Sequence, residues 1–187
     1  MPDLKFDRGV VMEIKIKLPL TAEKVAMLHA GDTVKLSGII YTARDAAHKR
    51  LIAALDAGEV LPVELKDQTI YFAGPCPAPP GRPIGSAGPT TSGRMDAYSP
   101  RLIRECGLRG MIGKGERNAN VVAAMSECGA IYFAATGGAG ALIAKSIKAA
   151  EVVAFEDLGP EAIRKLTVED FPAIVAIDDK GGNLYNR

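Results

Sequence analysis

GMIGKGERNANVVAAMSECGAIYFAA, residues Gly110–Ala135, sets a helical stretch between two short apolar runs. GMIG (Gly110–Gly113) reads as a brief buried strand. Asn118 or Asn120 can then open a helix with Val121, Val122, Met125 and Cys128 facing inward. Ala130–Ala135 is apolar and rich in aromatics, and returns as a strand. Strand, helix, strand is therefore the local theme, and it extends in both directions.

Upstream, Val10 to Leu18 alternates in polarity and predicts a strand. Thr21 can cap a short helix through about Leu28. Val34, Leu36 and Ile40 suggest a second strand ending in YTARD. A helix follows from about Asp45 to Ala57, with Leu51, Ile52 and Leu55 on one face. Ile70–Ala73 is a short strand, and Ser99-Pro100 predicts a helix start, with Ser99 as N-cap and proline at the first position. Downstream, GGAGALIAKSI opens a helix and EVVAF is a strand. Gly159-Pro160 is expected to start a helical turn running through Leu166, and AIVAID is a final strand. The predicted class is α/β with a mixed sheet, whose continuous and alternating apolar runs require both covered and half-exposed sheet surface.

The 187 residues are 48% hydrophobic and 24% charged, which supports one core-forming domain. A net charge of +1, without a run of Lys or Arg, argues against nucleic-acid or membrane-surface binding. No secretory signal or bilayer-length apolar stretch is visible, so a cytoplasmic location is expected. Cys106 and Cys128 each precede a glycine at the end of an apolar stripe, which reads as the last buried turn of a helix. With Cys76 they show no metal-ligand spacing.

Between the third strand and the Ser99 helix lies GPCPAPPGRPIGSAGPTTSGRMD, Gly74–Asp96. Stiff prolines mixed with permissive glycines do not make a flexible tether. The hydroxyls, the free amides and Arg94 in PTTSGRMD suit an anion such as phosphate or carboxylate. Arg44 in TARDAAH and Lys114 in GKG occupy comparable element ends, where α/β folds put their ligand sites. Each alone also fits a surface charge at a loop; two or three converging would suit a small dicarboxylate. GKG is not a P-loop, because Leu108 and Gly115 stand where glycine and a hydroxyl residue are needed. TGGAGALI follows a strand and opens a helix, but it lacks the third glycine of a dinucleotide fingerprint. Close helix–sheet packing through small residues explains it better, with a dinucleotide-binding regulatory module as the alternative of another class.

GPCPAPPGRPIGSAGPTTSGRMDAYSP, GMIGKGERN, YFAATGGAGALIAKSI and VVAFEDLGPEAI together resemble the β subunit of iron–sulfur (class I) fumarases and L(+)-tartrate dehydratases. The resemblance covers essentially the whole chain. It implies a single swivelling β/β/α domain over residues 1–187, equivalent to the C-terminal domain of fused relatives. It implies a hydro-lyase, active only with an α subunit that ligates a [4Fe–4S] cluster, with none bound by this chain and an α2β2 assembly. The implied reaction is (S)-malate to fumarate and water, with tartrate dehydration to oxaloacetate or mesaconate hydration as alternatives. PAPPGRPIGSAGPTTS follows the fumarase style. Position by position, Arg44, Arg94 and Lys114 match carboxylate-holding residues, and Thr90 matches the residue proposed to take the proton. His48 matches a histidine with a suspected catalytic part, although its spacing to Leu51 and Ile52 equally suits a packed histidine. Asp45, Thr91 and Asp96 are secondary candidates in the same segments.

Overall fold

The computed structural model describes residues 13–135 and 139–186. The start of the expected first strand, Val10–Met12, and Thr136–Gly138 of the TGGAGALI segment lie outside them. The strands are β1 (Ile14–Lys17), β2 (Thr33–Thr42), β3 (Thr69–Tyr71), β4 (Gly110–Gly113), β5 (Ile131–Ala134), β6 (Ile147–Ala154) and β7 (Ile163–Ile177). The helices are α1 (Ala22–Ala26), α2 (Asp45–Asp56), α3 (Ser99–Cys106), α4 (Ala119–Cys128) and α5 (Gly140–Ser146), with 3-10 turns at Ser92–Met95 and Glu156–Glu161. Among the described residues no helix is long and apolar enough to cross a membrane.

β2, β3, β4 and β5 pair in parallel, in that order. β7 runs antiparallel to both β5 and β2, so the pairings close into a ring. β1 extends the sheet beside the first half of β2, and β6 beside the first half of β7. The mixed α/β class expected from the sequence is the one found.

Both faces of the parallel strands are buried, and their side chains divide by the two-residue strand period. Tyr71, Ile112, Ile131 and Phe133 join one apolar cluster, which also takes Val25 of α1 and Ile143 of α5. Ile70, Phe72, Met111 and Tyr132 join the other, against Leu51 of α2, Leu102 of α3 and Val121 of α4. That division fixes register, because a one-residue slip would exchange the two sets.

Three local expectations need revision. Gly159-Pro160 does not start a helix through Leu166: the 3-10 turn ends at Glu161 and Ile163 already lies in β7. Strand pairing on both sides, with β2 and β6, decides the matter there. Ser99 is the first helical residue of α3, with Tyr98 as N-cap, and its hydroxyl donates to the Met95 carbonyl at 3.0 Å. Thr21 precedes α1 without a side-chain capping bond. Asn118 does cap α4, accepting from the Val121 amide at 3.0 Å. Cys106 and Cys128 end their helices half-buried, each followed by a left-handed glycine cap, whereas Cys76 is exposed.

Candidate functional site

Parallel strands deliver their C-terminal ends to one edge of a sheet, and the loops that leave them there are the natural place for a ligand. From β2 the chain passes through Ala43 and Arg44 into α2. From β3 it enters the Pro-rich loop at Phe72–Gly74, and from β4 it enters GKG at Lys114. The Pro-rich loop then comes back to the same edge. The Thr90 amide donates to the Phe72 carbonyl at 2.7 Å and the Ser92 amide to the Lys114 carbonyl at 2.8 Å. Thr91 and Lys114 form a parallel bridge, so Thr90–Ser92 runs beside the end of β4. Thr90 is half-buried and Lys114 is exposed.

This return requires glycine at 113. A Cβ there would lie 1.9 Å from Ser92 Oγ and 2.9 Å from the Phe72 ring. Ser92 Oγ sits 2.8 Å from the Tyr132 hydroxyl, which itself donates to the Gly115 carbonyl at 2.8 Å. The tyrosine proton is thereby committed, so Ser92 is the donor to Tyr132. Burial pushes the Tyr132 pKa up and keeps the phenol neutral.

Arg94 projects from the 3-10 turn, and its Nε donates to Asp45 Oδ1 at 2.9 Å. Arg44 Nε stands 3.3 Å from Glu161 and 4.0 Å from Asp45 Oδ2. Arg44, Asp45 and Arg94 therefore form one network, which Glu161 joins from the turn before β7. The sequence reading missed Glu161, whose place beside Arg44 depends on the β6–β7 connection. Gly74 makes room for the network, since a Cβ there would approach Arg44 Nη1 to 2.7 Å. Arg44 Nε and Asp45 Oδ2 are buried without hydrogen-bond partners.

His48 lies one turn into α2, fully buried against Phe72 and Tyr98. Its Nδ1 donates to the Arg44 carbonyl at 2.8 Å, which fixes the tautomer and leaves Nε2 unpartnered. Burial pulls its pKa down from 6.5 to about 4, so it is neutral at physiological pH. Its protonated form belongs to the unfolded chain. Stability is expected to be complete above pH 6.5 and to fall by on the order of 3 kcal/mol as the pH drops to about 4. Denaturant titrations across that window should lose this component in a His48→Phe variant. Equal pH slopes in the two proteins would refute a buried neutral histidine.

Asp96 faces away from the two arginines. Its Oδ1 accepts from Arg117 Nε at 2.6 Å and its Oδ2 from the Asn118 amide at 2.6 Å. Arg117, overlooked in the sequence, is a fully buried guanidinium between the Phe72 and Tyr132 rings, at 5.2 and 5.1 Å. Nothing but its neighbourhood distinguishes it from the other arginines of the chain.

Among the described residues no set of three His, Cys, Asp or Glu side chains could hold a metal ion. Cys76 is exposed on a loop, while Cys106 and Cys128 end separate helices. These residues do not fit an iron–sulfur cluster. The dinucleotide alternative rests partly on Thr136–Gly138, outside the described residues. Its Gly140 is packed against the Pro-rich loop, where a Cβ would meet Ser86 Oγ at 2.5 Å and the Gly88 amide at 2.8 Å. The small residue thus serves close helix–loop packing, a variant of the expected helix–sheet contact.

The model of the family described as "Fumarase C-terminus" matches residues 1–187. The chain is 45% identical over 155 residues to "Fumarate hydratase class I, anaerobic" of Escherichia coli (strain K12), covering 82% of this chain and 28% of that protein. It is 38% identical over 180 residues to "Fumarate hydratase 2" of Leishmania major, covering 96% and 32%. Against "Putative L(+)-tartrate dehydratase subunit beta" of Methanocaldococcus jannaschii, identity is 40% over 173 residues, covering 90% and 89%. The chain thus spans about a third of the two fumarate hydratases and nearly all of the β subunit.

Proposed function

This chain belongs to the Fumarase C-terminus family, and on that premise we propose that it is the β subunit of a hydro-lyase that interconverts (S)-malate and fumarate. The observation that carries this reading is the Arg44–Asp45–Arg94 network at the sheet edge where Thr90–Ser92 pairs with Lys114. Two arginines and a lysine brought to one edge of the sheet would suit a dianion with a carboxylate at each end. Removal of a proton next to a carboxylate piles negative charge onto its oxygens, and preorganised cations favour that state over the ground state. Arg44 and Arg94 offer planar forks for bidentate binding, and Lys114 a mobile point charge. Asp45 orients Arg94 through a hydrogen bond and lies 4.0 Å from Arg44 Nε.

In this reading Thr90 takes the proton. A hydroxyl is a weak base unless adjacent cations stabilise its alkoxide, which is the part Lys114 and Arg94 would play. His48, neutral and bound to the Arg44 carbonyl, holds the backbone of that arginine. Thr91 supplies the bridge to Lys114, and Asp96 fixes the turn that carries Arg94. The [4Fe–4S] cluster is assigned to a cysteine-bearing α subunit in an α2β2 assembly, in the cytoplasm. Residues 1–187 act as one domain, the counterpart of the final part of the fused enzymes. Tartrate and mesaconate are the competing substrates, and the methyl of mesaconate is a small difference for such a pocket.

The test is anaerobic reconstitution. The isolated chain should carry no iron and show no turnover, and mixing with a cluster-bearing α subunit should restore malate dehydration. Turnover of tartrate in preference to malate would move the assignment to the tartrate enzyme. A reconstituted complex inactive on all three diacids would refute the hydro-lyase reading.

A further inference from the structure

Arg94 and Lys114 lie on separate loops, and nothing in either loop alone fixes their separation. Arg117 lies three residues after Lys114, and Asp96 two residues after Arg94. Their ion pair, 2.6 Å between Nε and Oδ1, is buried and joins the two loops directly beneath the site. Arg117 Nη2 also donates to Ser99 Oγ at 2.7 Å, and Ser99 Oγ donates to the Met95 carbonyl at 3.0 Å, next to Arg94. The second Asp96 oxygen accepts the Asn118 amide at the head of α4. The guanidinium lies between Phe72, the first residue after β3, and Tyr132, which holds Gly115 through its hydroxyl. One side chain thus touches supports of both the Pro-rich loop and the β4–α4 loop.

We propose that Arg117 is a positioning residue that sets the distance between Arg94 and Lys114, and hence the length of diacid the site accepts. This rests on the reading that those two cations hold substrate carboxylates. A planar fork gripping Asp96 and Ser99 at once cannot be reproduced by an ammonium group, which would keep the charge and lose the geometry. A buried charge left without its partner is costly, so removing Arg117 outright endangers folding. Arg117→Lys and Asp96→Asn are therefore the informative variants.

In the reconstituted complex, Arg117→Lys should lower kcat/KM for malate about 10- to 100-fold, the scale of losses from small misplacements of binding groups. It should also flatten the preference for succinate over malonate and glutarate as competitive inhibitors. The control is Arg109→Lys, which perturbs another part-buried arginine whose partners are Asp67 and the Cys128 and Gly129 carbonyls, away from this edge. That variant should lose stability while keeping kcat/KM and chain-length preference. Independently of turnover, hydrogen exchange on the Asp96→Asn chain should speed at the Ser92 and Asn118 amides and stay unchanged in β2 and β7. Wild-type-like chain-length preference in Arg117→Lys, or unchanged Ser92 exchange in Asp96→Asn, would overturn the proposal. An inactive wild-type complex would instead sink the hydro-lyase reading, and the exchange experiment would still decide whether the Arg117–Asp96 pair fixes the loops.

Discussion

Arg94→Ala is expected to reduce kcat/KM for malate by about 100- to 1,000-fold, the range seen when one preorganised group facing developing negative charge is removed. Stability should scarcely respond. The Arg94 side chain is 51% exposed, and its described ionic partner is the Asp45 carboxylate. An exposed pair of this kind is worth about 0–1 kcal/mol, so the melting temperature should fall by less than about 4 °C. Arg94→Lys should recover little, because the ammonium can face one carboxylate oxygen but cannot grip two. The loss should fall on kcat as well as KM if the arginine grips the transition state more tightly than the substrate. Wild-type kinetics in Arg94→Ala, with the complex intact by gel filtration, would remove this loop from the active site.

Gly113→Ala should have the opposite profile, a loss of structure from which loss of activity follows. A Cβ placed 1.9 Å from Ser92 Oγ and 2.9 Å from the Phe72 ring has no room, since the Ser92 backbone is itself held to the Lys114 carbonyl. Overpacking on this scale is expected to destabilise by about 3 kcal/mol. The strain should concentrate on the pairing of Thr90–Ser92 with β4, and so on the placement of Thr90 and Lys114. A second substitution, Ser92→Gly, removes the closest clash and should restore a large part of the stability. It also deletes the hydroxyl that donates to Tyr132. Activity should therefore recover less than stability does. A denaturation midpoint for Gly113→Ala equal to that of the wild type would show that the return of the loop is not as tight as described.

The two outcomes separate residues that touch the ligand from residues that make the loop possible, and they differ in how far a sequence reveals them. Arg44, Arg94 and Lys114 could be nominated from local context, since each stands at the mouth of a strand or helix. Asn118 could be read as a cap because its oxygen serves an amide three residues on. Arg117 offered no such cue: its partners, Asp96, Ser99, Phe72 and Tyr132, are remote in the chain and depend on how β3, β4 and β5 align. Glu161 is similar, standing 3.3 Å from Arg44 only because the β6–β7 connection folds back over the start of α2.

Taken alone, the sequence determined the alternation of strands and helices, the ends of α3 and α4 and the stiffness of the loop between Gly74 and Asp96. These follow from forces acting within a few residues: side-chain periodicity, capping and the fixed φ of proline. Tertiary structure alone decided that Ile163–Leu166 is strand, because hydrogen bonds from two neighbours outweigh a local helix-start signal. It also decided that Asp96 faces Arg117 and not the ligand edge, because a guanidinium buried between two aromatic rings must be neutralised by the nearest carboxylate. The separation of the cations was likewise unavailable to the sequence, since it depends on the distance between loops that meet only once the parallel strands have paired.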